Sequence, residues 1–185
     1  MDRTIVRVAL TALGVLLLAA PIPLRAAGHP FALRSPAFHD GGPLPASVEF
    51  NGAGCHGANR LPRLTWSGVP AGTRSFALLL FDPDAAQATP GGWVHGNIYN
   101  IPRGVRFLTA ATLQRYTLGA TSFGFPGFGG PCPPPNGQAH HYIFTLYALN
   151  VARVAGPHLT RDRLLAAMDG RVLGATTLVG TFRRA

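Results

Sequence analysis

The stretch SFALLLFDPDAAQATPGGWVHGNIYNI, residues 75–101, decides the fold. Its first part, 75–81, is a continuous apolar run with Gly72 before it and the Asp82-Pro83 turn signal after it. A short apolar run between turn formers is typical of a strand that is buried on both faces. Its last part, 93–101, is rich in β-branched and aromatic residues and predicts a second strand. We therefore expect the first strand to lie centrally in a sheet.

Further strands and one helix are predicted on either side of this stretch. Residues 141–149 and 176–182 have strand composition, and 31–64 is dense in glycine and proline, which suits short strands and loops. Near the C-terminus, Thr160 can cap a helix over 161–169 that ends at Gly170. Since strands outnumber helices, the chain is predicted to be an all-β sandwich with one or two peripheral helices.

The composition favours one ordinary globular domain. The chain has 185 residues, of which 47% are hydrophobic and 12% are charged. Such a chain can bury enough apolar surface to offset its ordering entropy, which argues against intrinsic disorder. The 23 glycines and 17 prolines are scattered without a period, which favours a turn-rich β protein over a helical bundle.

The formal net charge of +9 comes from 16 arginines with no lysine. This usage is more typical of a compositional bias than of a selected electropositive stripe. Only Arg183 and Arg184 adjoin one another, and no basic patch is interleaved with aromatic residues. Because the usual footprint of a nucleic-acid binder is missing, we expect no nucleic-acid partner.

Residues 1–26 have the order of a secretory signal. Two arginines lie within 1–7, an unbroken apolar run covers 8–20, and small residues end the segment. We predict an exported protein, periplasmic or secreted, with cleavage after Ala26 and a single domain at 27–185. The alternative is a retained anchor, because the uncharged stretch 8–24 has 17 residues, the lower limit for a spanning helix. After processing, no stable membrane span is expected.

Export changes how the two cysteines are interpreted, because disulfides persist in an oxidising compartment. Cys55 and Cys132 both lie in segments rich in glycine and proline, and they are a candidate disulfide pair. Two separate buried thiols are the alternative. A metal pair is disfavoured, since neither CxxC nor HxxxH spacing occurs.

Three short polar segments lie at the predicted strand ends, and they hold most of the side chains suited to specific chemistry. They are Asp82-Pro83-Asp84, Trp93-Val94-His95 and His140-His141-Tyr142. Because side chains alternate along a strand, Trp93 and His95 share one face, and His140 and Tyr142 share one face, while His141 points to the other. If these faces converge, they form a pocket with imidazoles, a phenol, an indole wall and a carboxylate, and phosphate is the natural ligand. For each residue alone, a purely structural role is the competing interpretation.

Four motifs in order resemble the phosphatidylethanolamine-binding protein family, also called Raf-kinase-inhibitor-like proteins. They are DPDA at 82–85, WVH at 93–95, GPCPPPNG at 130–137 and HHYIFTLYAL at 140–149. The resemblance covers nearly all of 27–185 and is strongest to the bacterial exported branch, in which a cysteine occurs in each of the two segments that hold Cys55 and Cys132.

The resemblance implies a Greek-key β-sandwich with a small anion pocket at one end of the strands, without a conventional active site. By this resemblance the ligand-binding residues are Asp82, Trp93, His95, Pro134, Gly137, His140 and Tyr142. Asp84 is expected to support the strand ends. Family members bind phosphate-bearing headgroups or phosphorylated groups, which implies an anionic ligand for this chain.

Several functions compete at this stage. The leading hypothesis is an exported binding protein for a small anion or a phosphate headgroup, with no cofactor, that acts as an inhibitor or sensor. The alternative is a metal-dependent hydrolase that uses Asp82, His95 and His140 as ligands, which is a combination of side chains able to bind a divalent ion. A third hypothesis is a protein whose surface, and not its pocket, binds a protein partner. A homodimer is left open.

Overall fold

The computed structural model describes residues 29–87, 90–135 and 137–184. The predicted signal segment, 1–26, lies outside the described residues. Among the residues that are described, no helix is both long enough and apolar enough to cross a membrane.

The described chain is built mainly from strands. In chain order the strands are β1 (Ala32–Arg34), β2 (Gly42–Pro43), β3 (Asn51–Gly52), β4 (Cys55–His56), β5 (Leu64–Ser67), β6 (Ser75–Asp82), β7 (Trp93–Pro102), β8 (Phe107–Leu108), β9 (Thr117–Leu118), β10 (His140–Leu149) and β11 (Val172–Phe182). One α-helix, α1 (Arg161–Met168), and three short 3₁₀ helices (Ala46–Val48, Asp84–Gln87 and Ala110–Arg115) complete the structure.

The strands form two main sheets that pack face to face. The larger sheet has the order β2-β11-β10-β6-β7-β9, and the smaller has the order β1-β5-β8. Neighbouring strands of the larger sheet run antiparallel, except that β2 is parallel to β11. The predicted all-β sandwich is therefore confirmed, with β6 in the interior of its sheet.

Strand β6 is buried on both faces, as its continuous apolar run predicts. Phe76, Leu78 and Leu80 face the smaller sheet and belong to the main core. The residues between them, Ala77 and Leu79, face the opposite way and join a second core. An apolar side chain at every position is therefore needed here, because neither face of the strand is exposed to water.

Helix α1 covers the second core. Its N-cap is Thr160, whose hydroxyl accepts a hydrogen bond from the backbone N–H of Arg163, as the sequence predicts. Leu164 and Met168 are buried against β6 and β7, while Leu165 is only partly buried. The predicted helix is thus confirmed, and it ends one residue earlier than expected.

The end of β6 and the starts of β7 and β10 meet at one end of the larger sheet, because these strands are antiparallel neighbours. Asp82 pairs directly with Trp93 across β6 and β7. One step further along, Leu80 pairs with Gly96 while Phe81 pairs with Val94, so His95 is an extra residue in the ladder. Such a bulge changes the direction in which a side chain points, and this one lies beside the polar segments at the same end of the sheet.

Candidate ligand-binding pocket

A cavity of about 780 Å³ opens at the end of the larger sheet where β6 ends and β7 and β10 begin. Its lining includes the predicted residues Asp82, Asp84, Trp93, His95, Pro134, His140 and Tyr142. Three chain segments that are distant in sequence are therefore brought to one cavity. Gly137 is exposed and does not line the described cavity; its backbone N–H donates to the carbonyl of Arg184 at 3.1 Å.

The polar floor of the pocket consists of Asp82, His95, His140 and Tyr142. Asp82 is only 2% exposed. Its Oδ1 accepts hydrogen bonds from the backbone N–H groups of Asp84 and Ala85, at 2.9 and 3.1 Å. An aspartate that opens a turn commonly accepts such bonds, so the DPD sequence itself fixes this carboxylate. Its Oδ2 lies 2.8 Å from Nδ1 of His140, and it can accept a hydrogen bond from that ring.

His95 is buried behind this carboxylate. Its Nδ1 lies 2.8 Å from the carbonyl oxygen of Gly129, and its Nε2 lies 4.0 Å from Oδ2 of Asp82. Burial lowers the pKa of His95 to about 4, although the Gly129 carbonyl and the charge of Asp82 act in the opposite direction. The imidazole is therefore neutral near neutral pH.

Tyr142 contributes a buried hydroxyl that has no hydrogen-bond partner among the described residues. Its ring packs edge-on against His95, with ring centroids 5.0 Å apart. Within the described residues, no group forms a hydrogen bond of normal geometry with this hydroxyl. Burial raises its pKa, and the charge of Asp82 and the closeness of that carboxylate to the hydroxyl add to the effect, so the phenol keeps its proton. It is a donor available to a ligand.

Asp84 supports the strand end at the pocket rim. Its Oδ2 accepts a hydrogen bond from the backbone N–H of His141 at 2.7 Å and another from Nδ1 of the His141 ring at 2.8 Å. Burial tends to raise the pKa of Asp84, but the bonds from His141 outweigh it and lower the pKa overall. His141 is exposed on the sheet face opposite Tyr142, as strand alternation predicts.

An aromatic wall that sequence reasoning missed forms one side of the pocket. Phe123 lies at its centre, with ring centroids 4.6 Å from Phe50, 5.4 Å from Phe125 and 5.3 Å from Trp93. It also packs edge-on against His95. These phenylalanines lie in or beside glycine-rich loops, and no strand pattern identifies them; the signal in the sequence is the three phenylalanines within 123–128.

The predicted disulfide is present and lies at the rim of the pocket. Cys55 is bonded to Cys132, which lines the cavity. The guanidinium of Arg184, also missed from sequence, donates to the carbonyls of Gly54 at 2.6 Å and Pro133 at 3.3 Å. Together the disulfide and this arginine tie the β3–β4 hairpin to the loop that carries Pro134.

Among the described residues, no group of three or more His, Cys, Asp or Glu side chains is arranged to hold a metal ion. Nδ1 of His140 bonds to the carboxylate itself, and Nδ1 of His95 faces a carbonyl. The geometry therefore gives no support to the metal-dependent alternative.

The buried neutral imidazole predicts a pH dependence of stability. The ordinary pKa of histidine is 6.5, and that of His95 is about 4 in the folded protein. Between these values the unfolded chain takes up a proton that the folded chain does not, so the free energy of unfolding falls as the pH falls. We expect a loss of up to about 3 kcal/mol by pH 4, measured by urea unfolding. The matched control is His95→Asn, which should lose less stability over this range; an identical pH slope in both proteins would contradict the assignment.

Comparisons with known proteins agree with this architecture. A family model described as phosphatidylethanolamine-binding protein matches residues 34–183. The protein YbcL of Escherichia coli is 41% identical over 132 residues, covering 67% of this chain and 71% of that protein. A Mycobacterium tuberculosis protein named "Putative lipoprotein LppC" is 39% identical over 161 residues, covering 84% of this chain and 74% of that protein.

A solved structure shares the fold. The crystal structure of E. coli YbcL, described as a new member of the mammalian PEBP family, superimposes with a TM-score of 0.78 at 34% sequence identity. The match covers 84% of this chain and 99% of that one.

Proposed function

Because this chain belongs to the phosphatidylethanolamine-binding protein family, we propose that it is a binding protein whose pocket holds a small anionic or phosphate-bearing group. The observation that carries this proposal is the buried hydroxyl of Tyr142, which has no partner among the described residues and lines the cavity beside His95 and His140. A buried polar group without a partner is costly, and a ligand oxygen would satisfy it.

The charges at the pocket floor are compatible with an anion. The carboxylate of Asp82 is engaged by two backbone N–H groups and the ring of His140, so its role is to hold that ring and not to contact the anion. Because Nδ1 of His140 is engaged by Asp82, Nε2 is the atom of this ring that is left to face a ligand in the cavity. Tyr142 and His140 are thus the two proposed anion contacts.

The size of the cavity indicates that the anion is part of a larger molecule. About 780 Å³ is typical of a pocket for a drug-sized ligand, and a water molecule occupies only about 30 Å³ in the liquid. The space beyond the polar floor is lined by Phe50, Phe123 and Phe125. We propose that this aromatic wall contacts the apolar part of a ligand whose phosphate-bearing end lies at Tyr142.

Export and a role without catalysis belong to the same proposal. The Cys55–Cys132 disulfide suits an oxidising compartment, and the signal-like sequence at 1–26 supplies a route to it. A relative that is named as a lipoprotein is consistent with an envelope location. In the described residues the pocket contains no nucleophile paired with a base, so we propose an inhibitor or sensor that binds its ligand without turning it over.

The direct test is the affinity for inorganic phosphate, measured by calorimetry on wild-type protein and on Tyr142→Phe. Removing one hydrogen bond to a charged ligand should weaken binding about tenfold. The fold should be unaffected, because the hydroxyl has no partner among the described residues.

The matched control is Tyr147→Phe. Tyr147 lies on the face of β10 opposite Tyr142 and packs against the second core. Removing its hydroxyl should leave phosphate affinity unchanged. Equal phosphate affinity in the wild-type and Tyr142→Phe proteins would show that the tyrosine hydroxyl does not contact the anion. The main support for the proposal would then be lost.

A further inference from the structure

The protonation of His95 is fixed by its surroundings. Nδ1 lies 2.8 Å from the carbonyl oxygen of Gly129, and a carbonyl can only accept a hydrogen bond. Nδ1 therefore carries a hydrogen. Since the ring is 3% exposed and its pKa is lowered to about 4, it carries no second hydrogen near neutral pH. Nε2 is then a bare acceptor.

No hydrogen bond of normal geometry joins Nε2 to another described residue. The charged atom opposite Nε2 is Oδ2 of Asp82, 4.0 Å away, which is itself an acceptor and lies beyond hydrogen-bond distance. The hydroxyl of Tyr142 forms no hydrogen bond to it either. Among the described residues of the pocket floor, Nε2 of His95 and Oδ2 of Asp82 are adjacent acceptors and the Tyr142 hydroxyl is a donor, which is an unusual arrangement for a site that holds an anion.

We infer that the bound group must itself bring a hydrogen-bond donor to Nε2 of His95, so that among small oxyanions the pocket prefers hydrogen phosphate to sulfate. This inference rests on the proposed function. An O–H of the ligand donates to Nε2, while another of its oxygens accepts from the Tyr142 hydroxyl. A fully ionised oxyanion instead places a lone pair against Nε2 and Asp82, where it is repelled.

Hydrogen phosphate and sulfate form a matched pair of probes. At about pH 8 inorganic phosphate is mainly the hydrogen phosphate ion, because its second ionisation is then largely complete. It has the same charge and nearly the same shape as sulfate, and it differs by one proton. We expect phosphate to bind about tenfold more tightly than sulfate in calorimetric titrations, since an unmade hydrogen bond at such an atom weakens binding by roughly five- to a hundredfold.

Two variants assign the preference to one atom. His95→Asn keeps an N–H that can donate to Gly129 and removes Nε2, so the ratio of phosphate to sulfate affinity should fall to about one. Tyr142→Phe removes a donor that serves both ions, so it should weaken both and leave the ratio unchanged. If His95→Asn does not fold, the wild-type ratio and the Tyr142→Phe ratio still test the inference.

The outcomes separate the inference from the proposed function. If phosphate and sulfate bind the wild-type protein equally, the inference is wrong while the anion pocket stands. If the preference persists in His95→Asn, its assignment to Nε2 is wrong. If neither ion binds, the proposed function and the inference are both wrong.

Discussion

Removing the disulfide by Cys55→Ala together with Cys132→Ala should lower the free energy of unfolding by about 4 kcal/mol. The bond closes a loop of 77 residues, and in the chain-entropy model such a cross-link restricts the unfolded ensemble by about this amount. Because Cys132 also lines the cavity, we expect phosphate affinity to fall as the rim loosens. Urea unfolding and calorimetric titration measure the two effects.

The control for this double variant is wild-type protein treated with a dithiol reductant. Reduction breaks the same bond without changing a side-chain volume, so it should give a similar unfolding midpoint. A double variant as stable as the oxidised wild type would show that the cross-link contributes nothing to folding.

Replacing Asp82 by alanine should abolish phosphate binding and destabilise the fold by about 2–4 kcal/mol. Asp82 is buried, and its loss leaves the N–H groups of Asp84 and Ala85 and the ring of His140 without their acceptor. Leaving buried donors unsatisfied costs about 1–3 kcal/mol each, and the losses are not additive. The loss of binding follows because His140 is no longer held at the pocket floor.

Asp84→Ala is the matched control for this second prediction. Asp84 has the same charge and lies two residues away, but its side chain is 38% exposed and its partner is the exposed His141. We expect a change in stability within about 1 kcal/mol and a minor change in phosphate affinity. If both variants behave alike in unfolding and titration experiments, the special role given to Asp82 is wrong.

The strands and the polar floor of the pocket could be predicted because their signals are local. The apolar run at 75–81 and the cap at Thr160 determine their elements over a few residues, and strand alternation alone places Tyr142 and His141 on opposite faces. Strand β11 begins at Val172 and not at the predicted residue 176, because its first residues pair with the end of β10, and no local pattern reveals that pairing.

The rest of the pocket depends on contacts between distant segments. The aromatic wall forms because the loop that carries Phe123 and Phe125 is held by the bond from Gly129 N–H to the carbonyl of His95, and Phe50 is held by the carbonyl of Pro131. Arg184 follows the last strand, β11, and its guanidinium reaches the rim. The sequence of one segment does not reveal which distant segment it will contact, so the polar floor of the pocket was predictable and its aromatic wall was not.

A crystal structure of the protein grown in phosphate tests the proposed anion pocket directly. We expect a phosphate ion in the cavity with one oxygen within about 3 Å of the Tyr142 hydroxyl and a second beside His140. A pocket floor that stays empty at saturating phosphate, or a Tyr142 hydroxyl bonded to Asp82 with the ion bound elsewhere, would contradict it.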